Sequence, residues 1–166
     1  MANEVAEPRG RFDLTHPAGR RAAHRDYLWN DHAFLRVRFS NAHWISPELV
    51  RTNQPSPRQL AAWKDRGIKT VINLRGGFDA SFYALEHDAC QRLGLTIENF
   101  TITSREAPSK ARVRGAKDLF DRIAYPALMH CKSGADRAGI MSVLYRHFRL
   151  GEPIRVAMDQ LHIRYL

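Results

Sequence analysis

The sequence predicts an α/β fold, with a mainly parallel central sheet flanked by helices. Three observations predict it. Short runs rich in β-branched and apolar residues alternate along the chain with segments of helical periodicity. A length of 166 residues and a hydrophobic share of 44% suit one soluble domain with a real core. Finally, the apolar run Ala127-Leu128-Met129 is followed by a tight loop containing Gly134, then by a helical pattern from Ala138 to Tyr145. A loop in that setting lies at the carboxyl ends of the strands, where such folds bind ligands.

Residues 1–16 carry Pro8 and Gly10 with mixed charge and read as a loose arm. A short helix is expected from Ala18 to Asn30, with Arg20, Arg21 and Arg25 on it. A basic segment of this kind offers contact with a membrane surface, but its apolar face is weak and an ordinary packed surface helix is expected. From Phe34 to Phe39, apolar residues alternate with Arg36 and Arg38, which suits an edge strand with the arginines outward. Residues 1–40 are thus read as an arm and short helix packed on a domain of residues 41–166.

Ile45 to Thr52 reads as a strand or extended entry. In Ser56-Pro57-Arg58-Gln59, a serine cap, a proline at the first helical position and a glutamine at the third start a helix, which Gly67 ends. Ile68 to Leu74 reads as a central strand and Arg75-Gly76-Gly77 as a turn. An amphipathic helix over Ser81–Leu93 is closed by Gly94. Leu95 to Ile102 is the next strand and Thr103 to Pro108 a polar loop. Lys110 to Ala124 is a helix whose core face is Val113, Ala116, Leu119, Phe120 and Ile123. The strand Pro126–Cys131 follows, then a helix to about Leu150, broken by Gly151. One more helix is expected from Pro153 to Leu166, without a capping glycine, as in a short or truncated version of the domain.

The net charge of +9 fits a nucleic-acid binder, an anionic membrane surface, or an enzyme that steers an anionic substrate. No DNA-binding helix motif, zinc-finger spacing or aromatic RNA-binding strand is present, so no nucleic-acid partner is expected. No apolar run could span a bilayer, and Met1 to Arg11 lacks the apolar core of a signal peptide. The cysteines are Cys90 and Cys131, too few for a disulfide framework, and a reducing cytoplasm is expected. No His/Cys/Asp cluster has metal-ligand spacing, and neither metal nor cofactor is expected. The oligomeric state is not legible.

The residues of His130-Cys131-Lys132-Ser133-Gly134-Ala135-Asp136-Arg137 fit one chemistry. A cysteine at the mouth of a helix N-terminus, beside cations, ionises at about 3.5–7.5 rather than roughly 8.5, so its thiolate is populated near neutrality. The loop amides of Lys132, Ser133, Gly134, Ala135, Asp136 and Arg137 can surround an anion. The planar fork of Arg137 can hold two phosphate oxygens at once.

This motif resembles the His-Cys-x5-Arg loop of the cysteine-dependent protein tyrosine phosphatases, through His130, Cys131, Gly134, Arg137 and the following Gly139. Asn53-Gln54-Pro55-Ser56 and the stretch from Gly67 to Arg75 further resemble the compact dual-specificity type of bacteria, plants and fungi. The resemblance covers about residue 44 to the end. It implies phosphate monoester hydrolysis through a phosphocysteine on Cys131, clamped by Arg137, on phosphotyrosine and also phosphoserine or phosphothreonine proteins. It implies that His130 supports the loop and tunes the thiolate.

The family's general acid is an aspartate about thirty residues before the cysteine. The corresponding loop here offers only Glu106. Asp136 is the rival, as donor or as a brace for the loop, and Asp79 ranks below both. Ala138 stands where relatives carry a Ser or Thr that assists departure of the sulfur. Lys132 is shared with phosphoinositide-type relatives. An inositol phosphate or phospholipid head-group phosphatase therefore remains an alternative, as does a pseudophosphatase that binds phosphate without turnover. Cys90 reads either as an inert core residue or as a resolving cysteine for Cys131.

Overall fold

The computed structural model describes residues 7, 8 and 10–165. Residues 1–6 and 9 of the expected arm, and residue 166 of the last expected helix, lie outside them. A five-stranded sheet has the order β1-β2-β5-β3-β4, with β1 at His43–Ser46, β2 at Leu49–Thr52, β3 at Thr70–Asn73, β4 at Thr96–Asn99 and β5 at Ala127–His130. Strand β1 runs antiparallel to β2, and every other pairing is parallel. The mainly parallel sheet flanked by helices is therefore as the sequence predicts.

Strands β2, β3 and β5 are buried along their whole length because helices cover both faces. Alternate residues serve opposite faces. Leu49, Ile72 and Met129 pack with Leu119 and Phe120 of α5 (Lys110–Arg122) and with Met141 and Tyr145 of α6 (Asp136–Phe148). Val50, Val71 and Leu128 pack with Leu60 and Trp63 of α3 (Pro57–Asp65) and with Tyr83 and Ala89 of α4 (Ser81–Leu93). Each such side chain, fully removed from water, contributes about 1.5–3 kcal/mol.

Local signals set several boundaries. At the start of α3, Ser56 Oγ accepts from the Gln59 amide while Gln59 Oε1 accepts from the Ser56 amide, a reciprocal cap for two otherwise unpaired donors. Gly94 ends α4 in the left-handed region at φ 64°. The first helix, Pro17–Trp29 (α1), packs Ala23 and Tyr27 near Leu85 of α4, and Arg20 forks onto Asp88 with two 2.9 Å bonds.

Three expectations are corrected. Residues 34–39 are not an edge strand: Ala33–Arg36 is a single helical turn (α2), with Phe34, Leu35 and Phe39 exposed and Arg36 buried. The inversion follows from Asp31, whose carboxylate and carbonyl draw the Arg36 guanidinium inward. The stretch from Ile45 to Thr52, expected as a strand or extended entry, falls in a hairpin, β1 and β2, with a bulge between Trp44 and Ser46. After Gly151, the short helix Ile154–Ala157 (α7) gives way to 3-10 turns at Met158–Leu161 and Ile163–Tyr165 instead of continuing. The buried Arg51 holds that segment, donating to the Gln160 carbonyl at 2.8 Å and stacking 4.5 Å from the Tyr165 ring centroid.

Candidate active site

Strand β5 carries His130 to the carboxyl end of the sheet, and Cys131 to Ala135 form the loop before α6. Cys131 lies at the floor, 1% exposed, with the Gly134 amide donating to its sulfur at 3.2 Å. Gly134 has φ +82°, and a Cβ there would lie 2.8 Å from the backbone of both Thr52 and Asn53. Both the turn and the close backbone approach thus require glycine.

Four successive loop carbonyls are held from outside the loop. The Gln54 amide donates to the Lys132 carbonyl at 3.2 Å, and Asn41 Nδ2 donates to that of Ser133 at 3.0 Å. Arg51 Nη2 donates to Gly134 at 2.7 Å and to Ala135 at 2.8 Å. In a trans peptide the N–H points opposite to the C=O, so anchoring the carbonyls outward turns the following amides toward the inside of the loop. The Ala135 amide donates to Ser133 Oγ at 3.3 Å, and the loop leads into the 13-residue helix α6, a setting in which backbone N–H groups can receive an anion. Burial lowers the Arg51 pKa below its ordinary value, against the raising influence of Cys131 and Tyr165.

Arg137 is half-buried on the first turn of α6, and its guanidinium has no hydrogen-bond or ion-pair partner among the described residues, leaving its fork open to an oxyanion. The imidazole of His130 is fully buried, with Nε2 2.5 Å from Glu86 Oε1, although the two are not aligned as a hydrogen bond. Lys132 reaches outward, its Nζ 3.4 Å from Asp31. Asp31 in turn receives Arg75 Nη2 at 2.8 Å and the Arg36 guanidinium, and is 10% exposed. Burial raises the Asp31 pKa, but hydrogen bonds from Arg75 and the charges of Arg75, Arg36 and Lys132 outweigh it and hold the carboxyl below its ordinary range.

The other sequence-predicted residues are less closely gathered. Glu106 is exposed and lines a hollow with Thr101, Ile102, Pro108 and Arg112. Asp136 is exposed on the first turn of α6, beside a small recess shared with Arg51, Gln160 and Tyr165. Asp79 is exposed in the turn before α4. Ala138 is fully buried, and Ser142 Oγ donates to its carbonyl at 2.6 Å. Cys90 packs in the core with Val50, Val71 and Leu128, whereas Cys131 packs with the cluster on the opposite face of the sheet. Burial drives the Cys90 thiol far above its ordinary pKa. A buried thiol across the sheet has no path to Cys131, which favours the inert reading of Cys90.

Sequence reading missed Arg51, Asn41, Asp31 and Glu86. Arg51 had a visible signal, a charge inside the apolar run Leu49-Val50-Arg51-Thr52 of a buried strand. The other three act across long sequence separations that no local pattern records.

A parallel α/β sheet whose central strand ends in a cysteine loop, with an arginine six residues on, is the architecture of the protein tyrosine phosphatase-like phosphatases. The chain belongs to the family described as DSP-PTPase phosphatase fused to NAD+ Kinase, whose model matches residues 40–164. It is 26% identical over 121 residues to the dual specificity protein phosphatase TpbA of Pseudomonas aeruginosa, covering 73% of this chain. The chain spans about half, 53%, of that relative's length. Among solved structures, Tk-PTP in its active form superposes with a TM-score of 0.62 at 21% identity, covering 74% of this chain and 83% of that one. A cysteine-to-serine form of P. aeruginosa TpbA in complex with pTyr gives 0.60 at 18% identity, covering 76% and 75%. PTPMT1 gives 0.60 at 14% identity, covering 72% and 80%. These solved structures share the fold.

Proposed function

We propose that this phosphatase hydrolyses phosphate monoesters through a phosphocysteine on Cys131, acting on phosphotyrosine and also on phosphoserine or phosphothreonine in proteins. The observation that carries the reading is the set of four loop carbonyls from Lys132 to Ala135 held from outside the loop, which supports a loop whose amides serve the cysteine side, as the Gly134 amide does on the sulfur at 3.2 Å. In the first step the sulfur attacks phosphorus and the ester oxygen departs. The amides and the Arg137 fork stabilise charge as it spreads over the equatorial oxygens. In the second step water attacks the phosphocysteine, releasing phosphate and the thiolate.

Ala138 brings no hydroxyl to the second step, and Ser142 spends its own on the Ala138 carbonyl. Phosphoenzyme hydrolysis is therefore expected to be the slower half. For the proton delivered to the leaving oxygen, Glu106 is the first choice, because it is exposed on the loop after β4 and free to meet substrate. Asp136 is the rival donor, with its place beside the Arg51 recess favouring a bracing role.

The decisive test is turnover of para-nitrophenyl phosphate and phosphopeptides by wild type and Cys131→Ser. Wild type should turn over and trap a phosphoenzyme on quenching, and Cys131→Ser should bind phosphate without turnover. Inert wild type that still binds phosphate would favour the pseudophosphatase reading. Glu106→Gln should lower kcat/KM, which reads the first step, about 10²-fold on alkyl phosphates and far less on para-nitrophenyl phosphate, whose leaving group needs no proton. If Asp136→Asn shows that pattern instead, the acid is Asp136.

A further inference from the structure

Beside the phosphate loop lies a hollow of about 370 Å³, walled on one side by Lys132 and Ser133 and on the other by His32, Leu35 and Phe39, with Asn53 at its base. Leu35 and Phe39 are each 67% exposed, an uncommon placement for two large apolar side chains that nothing in the fold requires to be there. The segment presenting them is braced. Asn53 Nδ2 donates to the Phe39 carbonyl and the Asn53 amide to that of Ser40, while Gln59 Nε2 donates to that of Arg36. His32 is held in the left-handed region at φ 58°, a conformation that a non-glycine residue keeps only when its surroundings hold it there. Asp31 ties the same segment to the loop through Lys132. His32, Leu35 and Phe39 precede the residues matched by the family model, whereas Asn53, Lys132 and Ser133 lie within them.

We infer that this hollow is a subsite for a large apolar side chain flanking the phosphorylated residue of a peptide substrate. The inference rests on the phosphatase reading and adds to it the sequence context of the substrate. Two features identify the occupant. The hollow shares Lys132 and Ser133 with the phosphate cradle, so a group seated in it belongs to the molecule whose phosphate occupies the cradle. Its volume is at the small end of ligand pockets, room for one bulky side chain and too little for paired acyl tails. The exposed ring of His32 and the Lys132 ammonium at the rim also suit a peptide carrying further acidic residues.

The test reads binding, so that it stands apart from turnover. Paired phosphotyrosine peptides, differing only in Phe or Leu against Ser at a flanking position, are titrated against Cys131→Ser and against Cys131→Ser carrying Leu35→Ser and Phe39→Ser. Both wall residues are exposed, so the added changes leave the core intact, checked by the melting temperature. The apolar-flanked peptide should bind about 10-fold tighter at one flanking position, and the ratio should fall below about 2-fold in the triple variant. Equal affinities in Cys131→Ser, or a preference that survives loss of Leu35 and Phe39, would overturn the subsite. So would a Leu35- and Phe39-dependent preference for a phospholipid head group in mixed micelles with none among peptides, which would assign the hollow to a lipid. Failure of wild type to turn over any phosphoester would sink the enzymatic reading and leave this binding ratio to be judged by itself.

Discussion

At the scale of the residue, Arg51 is the side chain on which the loop depends most. Its fork reaches two loop carbonyls and Gln160 at once, from full burial. A lysine offers one compact ammonium in place of a planar fork and cannot serve the same three oxygens. Arg51→Lys is therefore expected to lower kcat/KM about 10²-fold, because amides that no longer converge lose their hold on the transition state. Arg51→Met should also cost about 3 kcal/mol in urea unfolding, since buried carbonyls are left without donors. A variant that keeps both its rate and its stability would show that the loop holds its shape unaided. Glu86 lies fully buried beside His130, on the strand that delivers Cys131, with the two polar ends 2.5 Å apart and no hydrogen bond between them.

At the scale of the element, α3 joins local sequence to the segment of residues 33–39. Its cap is a reciprocal pair, and Gln59 also donates from Nε2 to the Arg36 carbonyl. Ser56→Ala should cost about 1 kcal/mol, seen as a lower urea midpoint at unchanged slope. Gln59→Ala removes the return half of the cap and the tie to residues 33–39 together, so the two changes should combine non-additively. The cap was legible because its chemistry lies within four residues, and the same holds for Gly94 and for the cysteine loop. The 33–39 segment was not legible. Its alternation reads as a strand, yet a buried carboxylate at Asp31 turns Arg36 inward and leaves the apolar residues in water. The C-terminal turns were hidden for a related reason, because their partner, Arg51, lies more than a hundred residues earlier. Local propensity recorded each element whose stabilising contacts are local, and tertiary contacts overrode it wherever a buried charge chose its partner from afar.

At the scale of the whole molecule, two carboxylates tie α1 and the α2 segment to the rest of the fold, beside the apolar cluster of Ala23, Tyr27, Ala33 and Leu85. Asp31 gathers Arg36, Arg75 and Lys132, and Asp88 receives Arg20 from α1. Burial raises the pKa of Asp88 as it does that of Asp31, but the bonds from Arg20 and Arg92 outweigh it and leave the Asp88 carboxyl below its ordinary range as well. A carboxyl whose folded value is depressed stabilises the fold fully above its unfolded value of about 3.9, and that contribution is lost as pH falls through the folded value. The urea midpoint should thus change little between pH 7 and about 5, then fall from about pH 4 downward. Asp31→Asn should lie below wild type by about 2–4 kcal/mol at pH 7, since three cations lose their shared partner. In acid the wild-type carboxyl becomes neutral too, so the gap between the two proteins should narrow as pH falls below about 4 and close only below the carboxyl's depressed folded value. A gap that stays constant from pH 7 to pH 3 would mean that Asp31 acts through packing alone, and that the hold on α1 and α2 does not depend on charge. Because the same carboxylate orients Lys132 at the rim of the cradle, the closing of that gap should be matched by equal phosphate affinities of Cys131→Ser with and without Asp31→Asn in the same acid range.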